Sequence, residues 1–221
     1  MRNLAKIEVM KSAALAALAG CAICYPRLAY WPKLPYPVWY LAAVLLACGF
    51  VLWAFVFAWH AEYTKLPPFN FKLNTSPFVA ATLAGIVIAF LLHQFVDPAF
   101  RERMPEDYPA SLGQWIAMTL FSLGFTQLLM VFAPFDWSVR LTKRRWIGIL
   151  FTVLFGVFVA AAKAHSASAQ IPSSLLCPLL IARAATSFLS VWLYSRHGVI
   201  AASWWSFLLQ ARHLLELPLS T

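Results

Sequence analysis

Long apolar stretches, separated by short polar connections, constrain this chain more than any other feature. Each stretch approaches the roughly 20 residues that an α-helix needs to cross the hydrocarbon core of a bilayer. In lipid the backbone polar groups must bond within the segment, so stretches of this length fold as helices. The sequence is also 62% hydrophobic and only 11% charged, unlike a soluble domain. We therefore predict an all-α, polytopic transmembrane helix bundle.

The spacing of the polar connections predicts about seven spans. The first, at about residues 9–25, has a short apolar run and could instead lie in the membrane interface, which would leave six spans. The others follow in chain order: Val38–Trp59, Pro77–Val96, Gly113–Phe135, Trp146–Ala164, 173–194 and 199–215.

The first apolar segment has two readings. It contains Leu18-Ala19-Gly20-Cys21, a pattern at which bacterial lipoproteins are cut and lipidated. Glu8 and Lys11 interrupt the approach to this pattern, which favours a retained helix. Cys21 and Cys24 form a C-x-x-C pair, but no second cysteine pair or histidine cluster accompanies them. We therefore predict no zinc site and no other cofactor.

Basic residues predict the orientation. Lys and Arg concentrate at the N-terminus and in the loop Arg140–Arg145, which the positive-inside rule places in the cytoplasm, with the C-terminus outside. We predict a multi-pass protein of the bacterial cytoplasmic (inner) membrane. The net charge of +9 is explained by this orientation and by contact with anionic lipid headgroups, and we predict no nucleic-acid partner.

Polar residues are scarce within the predicted spans. No Asp or Glu lies between the span ends, so the spans offer no carboxylate for acid–base or metal chemistry. Three intramembrane polar residues stand out, namely Gln127, Lys163 and Arg183. Lys163 is close to a span end and can extend to the interface. Arg183 is mid-span and requires a partner, such as Gln127, a backbone carbonyl, or an acidic group or lipid phosphate.

The connection between the last two predicted spans has a distinctive pattern, Leu193-Tyr194-x-Arg196-x-Gly198. With the aromatic-rich run before it, this connection resembles the last two helices of the CPBP (CAAX protease and bacteriocin-processing, or Abi) family of intramembrane proteases. The resemblance covers about residues 113–217. It implies N-terminal membrane helices and interfacial loops over 1–112, and a CPBP-like four-helix membrane core over 113–221.

Most catalytic residues of that family are missing here. On the family register, seven positions of this chain would carry the Glu-Glu-x-x-x-Arg, Phe-x-x-x-His and His-x-x-x-Asn/Asp motifs; the residues at these positions are Thr126, Gln127, Val131, Ala161, His165, Phe207 and Ala211. Only His165 keeps a catalytic residue type. The resemblance therefore implies a noncatalytic CPBP-like membrane protein. The alternative is an intramembrane metalloprotease with a rearranged site around His165.

Large aromatic residues on the spans predict how such a protein would act. Rings buried against another protein gain close packing, and interface cores are enriched in them. We predict partner contacts at four tryptophans, Trp53, Trp192, Trp204 and Trp205. The sequence thus predicts a structural or accessory subunit of a larger membrane complex, with a partner subunit, or alternatively pigment or lipid, at this interface.

Overall fold

The computed structural model describes residues 3–30, 36–70, 75–166 and 171–217, and among them it contains helices and no strands. The all-α prediction is confirmed. The helices, in chain order, are α1 (Ile7–Ala29), α2 (Val38–Thr64), α3 (Thr75–Phe95), α4 (Asp97–Arg101), α5 (Leu112–Phe121), α6 (Ala133–Thr142), α7 (Arg145–Ser166), α8 (Ser173–His197) and α9 (Val199–Ala211).

Six helices of the described chain are long and apolar enough to cross a membrane. One of them is a continuous 31-residue helix, Leu112–Thr142, in which α5 and α6 are joined by π-helical turns at Ser122–Thr126 and Leu128–Phe132. Another is α1, which has 23 residues and is longer than the apolar segment predicted at about residues 9–25. The chain is therefore a polytopic bundle in which the first helix has the length of a span.

The last predicted span, 199–215, is organised differently. Helix α9 has 13 residues, or about 20 Å, and is followed by a 3-10 turn at Arg212–Glu216. The Val199 N–H donates to the Pro68 carbonyl at 2.9 Å. At the other end, the Arg212 guanidinium donates to Asp97 at 2.8 Å. Contacts with the segments just before and just after α3 thus fix both ends of α9, which packs along α3.

The two ends of the bundle differ in charge. We call the end that carries residues 140–145 the basic end, and the end that carries residues 97–107 the acidic end. Chain direction places the start of α7 at the basic end, while Lys163 lies at the acidic end.

The main hydrophobic core draws residues from both predicted segments, because Ala17 and Trp53 pack with Phe132 and Tyr194. Two glycines allow α7 to approach its neighbours closely. A Cβ added at Gly148 would overlap the Val139 side chain, and one at Gly156 would lie 2.6 Å from the Ser187 hydroxyl. Helix α7 therefore fixes the positions of both α6 and α8.

Candidate functional site

A buried polar cluster near the basic end joins three helices. It consists of His60 on α2, Asp136 on α6 and Tyr194 on α8, each 0% exposed. The Tyr194 hydroxyl donates to Oδ2 of Asp136, and Nδ1 of His60 lies 3.3 Å from Oδ1 of the same carboxylate. The Tyr194 ring also stacks on Phe132, with ring centroids 4.5 Å apart. The cluster therefore connects α2, α6 and α8 within an otherwise apolar core.

This cluster corrects the prediction that no carboxylate lies within the spans. The predicted fourth span ended at Phe135, whereas the helix continues to Thr142, where Lys143 terminates it in a left-handed conformation (φ 56°). Asp136 is consequently inside the helix. An apolar stripe could have revealed the extension, because Phe132, Phe135 and Val139 follow helical spacing and all three are buried.

A second feature is a cavity of about 780 Å³ that opens at the acidic end. Its mouth includes an ion pair between Lys163 and Asp107, whose side chains are 49% and 38% exposed. Deeper in the cavity the lining includes Thr126, Thr186 and Arg183. The cavity thus reaches from the exposed end of α7 to polar groups in the middle of the bundle.

The acids near the mouth bind cations of the same chain. Asp97 is buried and receives hydrogen bonds from Arg212, with Nε at 2.8 Å and Nη2 at 3.3 Å. The Tyr108 hydroxyl donates to Oδ1 of Asp97 at 3.1 Å. Together with the Lys163–Asp107 pair, these contacts attach the 97–111 segment to α7 and to the end of α9.

Arg183 is half-buried on α8, where its Nε donates to the Gly156 carbonyl on α7 at 3.4 Å. This is the backbone-carbonyl partner that the sequence allowed. Gln127, the other partner considered, is buried on the fourth span and has no recorded hydrogen bond with Arg183 within the described ranges. Lys163 extends to the surface as predicted and pairs with Asp107.

The positions on the CPBP register are not brought together. Thr126 lines the cavity, while Gln127 and Val131 are buried on the fourth span. His165, in contrast, is exposed near the acidic end of α7 and does not line the cavity. On α9, Phe207 stacks on Trp204 with centroids 5.6 Å apart, and Ala211 is half-buried. No group of three His, Cys, Asp or Glu residues that could hold a metal occurs in residues 3–30, 36–70, 75–166 and 171–217.

Two of the four tryptophans predicted to contact a partner are buried within the chain itself, and for them the prediction is wrong. Trp53, 7% exposed, stacks on Phe69 with centroids 5.3 Å apart. Trp205, 0% exposed, donates its indole N–H to the Ser190 hydroxyl at 3.1 Å. These helices are apolar on all faces, so the sequence pattern does not distinguish interior from lipid-facing positions.

The other two tryptophans are half-buried. The Trp204 indole N–H donates to the Thr82 hydroxyl at 2.9 Å, which links α9 to α3. Near the basic end, the Arg196 guanidinium lies over the Trp192 ring, 5.1 Å from its centroid. Trp192 thus keeps part of its ring accessible beside a positive charge.

The π-helical turns of the fourth span lie beside the cavity. They flank Gln127, and turns of this kind are rare and are often found at functional sites. Ser122, in the first turn, accepts a hydrogen bond from the Gln210 amide at 3.2 Å, and its hydroxyl lies 3.4 Å from that of Ser206. These contacts join the π-helical region to α9 next to the cavity. No pattern in the sequence predicts this feature.

Comparisons with protein-family models, curated proteins and solved structures found no match to this chain. The CPBP resemblance therefore stays a prediction from the turn pattern.

His213 provides a pH-dependent contact at the acidic end. It follows α9, is 4% exposed, and packs edge-to-face on Tyr108 with centroids 5.2 Å apart. Burial, assisted by the nearby Arg212 charge, lowers the pKa of His213 to about 4 from its ordinary value of 6.5. The folded state therefore favours the neutral imidazole, and this contribution to stability is complete above pH 6.5 and lost as the pH falls towards 4.

We expect the free energy of unfolding to fall between pH 7 and pH 5 by about 2 kcal/mol more in the wild type than in His213→Gln. The glutamine keeps a polar side chain but does not titrate. Denaturant unfolding in detergent, followed by tryptophan fluorescence at both pH values, measures the difference. Equal losses in the two proteins would contradict this assignment.

Proposed function

We propose that this chain is a noncatalytic integral membrane protein that serves as a structural or accessory subunit of a larger membrane complex. The proposal rests on the inaccessibility of the His60–Asp136–Tyr194 cluster, in which all three residues are 0% exposed. A general base has to come within hydrogen-bond distance of its substrate. An imidazole and a carboxylate enclosed by three helices cannot do so, and their contacts instead serve to hold those helices together.

The CPBP-like character of residues 113–221 belongs to this proposal. The turn that resembles the family has structural functions here, because Tyr194 binds Asp136 and Arg196 covers Trp192. A bundle of this kind can keep its shape after losing catalytic residues. We further propose a bacterial inner-membrane location with the basic end in the cytoplasm, in accordance with the positive-inside rule.

Such a protein acts through lateral contacts, and Trp192 is the residue we assign to them. Its half-buried ring lies near the basic end under Arg196. Tryptophan and arginine are the residue types most enriched at energetically important interface positions. Trp204 is a weaker candidate, because its indole N–H is already bonded to Thr82.

Mild solubilisation of the native membrane is expected to release this 24.8 kDa chain in a particle that contains further proteins. Trp192→Ala should weaken the association about fivefold or more, as removal of a central interface residue does. The matched control is Trp146→Ala, since Trp146 is 60% exposed at the same end and should have little effect. Native mass measurement on all three samples provides the comparison.

A stable, monodisperse monomer that neither substitution changes would contradict the subunit assignment. Cleavage of a prenylated or membrane peptide by the purified chain, lost in His165→Ala, would instead support the alternative of a metalloprotease around His165.

A further inference from the structure

The cavity at the acidic end has the dimensions of a ligand site. Its volume of about 780 Å³ lies in the range of clefts that enclose small organic molecules. The exposed Lys163 and Asp107 side chains at its mouth give it access to the aqueous phase. Lys163 and Gly156, whose carbonyl binds Arg183, are seven residues apart on α7, which corresponds to a depth of about 10 Å.

Arg183 supplies an unmatched positive charge within this cavity. A guanidinium has five N–H donors, and the hydrogen bond recorded for Arg183 is the one from Nε to the Gly156 carbonyl. Of the three acidic residues that line the cavity, Asp97 pairs with Arg212, Asp107 pairs with Lys163, and Glu106 is exposed to solvent at the acidic end. Among the described residues no acidic side chain pairs with Arg183. An arginine at mid-span is costly unless an anion or water reaches it, and the cavity provides that access.

The remaining lining residues indicate that the ligand has an apolar part. Apolar residues of several helices line the wall, including Met118 and Phe121 on α5 and Leu179 on α8, while Thr126 and Thr186 line the cavity together with Arg183. A small inorganic anion would leave this apolar surface uncovered. An organic anion would bury an apolar body against it and offer two oxygens to the guanidinium fork.

We propose that this cavity binds a soluble organic carboxylate with an apolar body, whose carboxylate pairs with Arg183. The depth of the guanidinium below the mouth favours a ligand from the aqueous phase over a bilayer lipid, because a lipid phosphate would have to leave the headgroup level to reach it. This site is independent of the subunit function proposed above and requires no chemical reaction.

The test measures binding of 2-naphthoate to the full chain in nanodiscs of zwitterionic lipid, by isothermal titration calorimetry. We expect saturable binding to the wild type and about tenfold or greater weakening in Arg183→Gln, because a charge-assisted hydrogen bond is lost. The uncharged 2-naphthamide should bind weakly and should not respond to Arg183→Gln. The matched control is Arg144→Gln, which removes an exposed positive charge at the basic end and should leave the affinity unchanged.

A second variant covers the possibility that Arg183→Gln does not fold. Ala160 lines the cavity on α7, so Ala160→Phe should block 2-naphthoate while Arg183 stays in place. Absence of saturable wild-type binding, or unchanged affinity in the folded Arg183→Gln or Ala160→Phe protein, would overturn the proposal. Loss of 2-naphthoate binding when phosphatidylglycerol is added to the nanodisc would overturn the soluble-ligand assignment and assign the site to a lipid phosphate.

Discussion

Replacement of Asp136 by alanine is expected to lower the free energy of unfolding by about 3 kcal/mol or more. The substitution removes the acceptor of the Tyr194 hydroxyl and the carboxylate 3.3 Å from Nδ1 of His60. Both partners are 0% exposed, so water cannot replace the lost contacts without opening the core. Buried polar groups left without a partner cost about 1–3 kcal/mol each, and loss of one member of a buried pair costs more.

The matched control is Asp136→Asn, which keeps the size of the side chain and an acceptor oxygen for Tyr194. It should be clearly less destabilising than the alanine variant. Tyr194→Phe should lower the free energy of unfolding by about 1–3 kcal/mol. The double variant Tyr194→Phe with Asp136→Ala should lose less stability than the sum of the two single losses, because both substitutions remove the same hydrogen bond. Equilibrium unfolding in detergent supplies these values. An Asp136→Ala protein within about 0.5 kcal/mol of the wild type would show that the cluster does not hold the helices together.

The contrast between α2 and Asp136 shows what the sequence can and cannot predict here. The apolar run of α2 predicts its helix directly, because lipid imposes both length and composition. Asp136 appeared to belong to a loop, since Asp136, Arg140 and Lys143 follow one another closely. Its burial depends on His60 and Tyr194, which are 76 and 58 residues away in the sequence. No local sequence pattern predicts contacts between residues so far apart.

The cavity was only partly predictable. A mid-span arginine indicates that an internal partner is needed, and the sequence identified Arg183 for that reason. The cavity itself depends on the path of the 97–111 segment and on the contacts of Ser122 with Gln210. It also depends on the π-helical turns around Gln127, which hydropathy does not encode.

Each residue of the turn that resembles the CPBP family has a local structural reason in this chain. Tyr194 binds Asp136, and Arg196 lies over Trp192. Leu193 is buried in a cluster with Trp205. Packing alone thus accounts for this pattern at the α8–α9 connection, whether or not the chain shares an ancestor with the family.

The α8–α9 connection should be most sensitive to substitution at Gly198. We expect Gly198→Ala to lower the free energy of unfolding by about 3 kcal/mol or more. Its backbone has φ 85° and ψ −172°, a region used almost only by glycine, where another residue costs about 1–3 kcal/mol. An added Cβ would lie 2.7 Å from the Pro68 carbonyl oxygen. That carbonyl accepts the Val199 N–H at 2.9 Å, so moving it would release the start of α9 from the segment before α3.

The control for this experiment is Gly20→Ala on α1. The nearest atom to a Cβ at Gly20 is the Gly124 carbonyl oxygen at 3.8 Å, an ordinary contact, and alanine is the better helix former. Gly20→Ala should therefore be as stable as the wild type or slightly more stable. Thermal unfolding in the same detergent compares the two variants. If Gly198→Ala unfolds at the same temperature as Gly20→Ala, the Pro68 contact does not fix the α8–α9 connection, and α9 must be held by its other contacts, such as its packing along α3 and the Arg212–Asp97 pair.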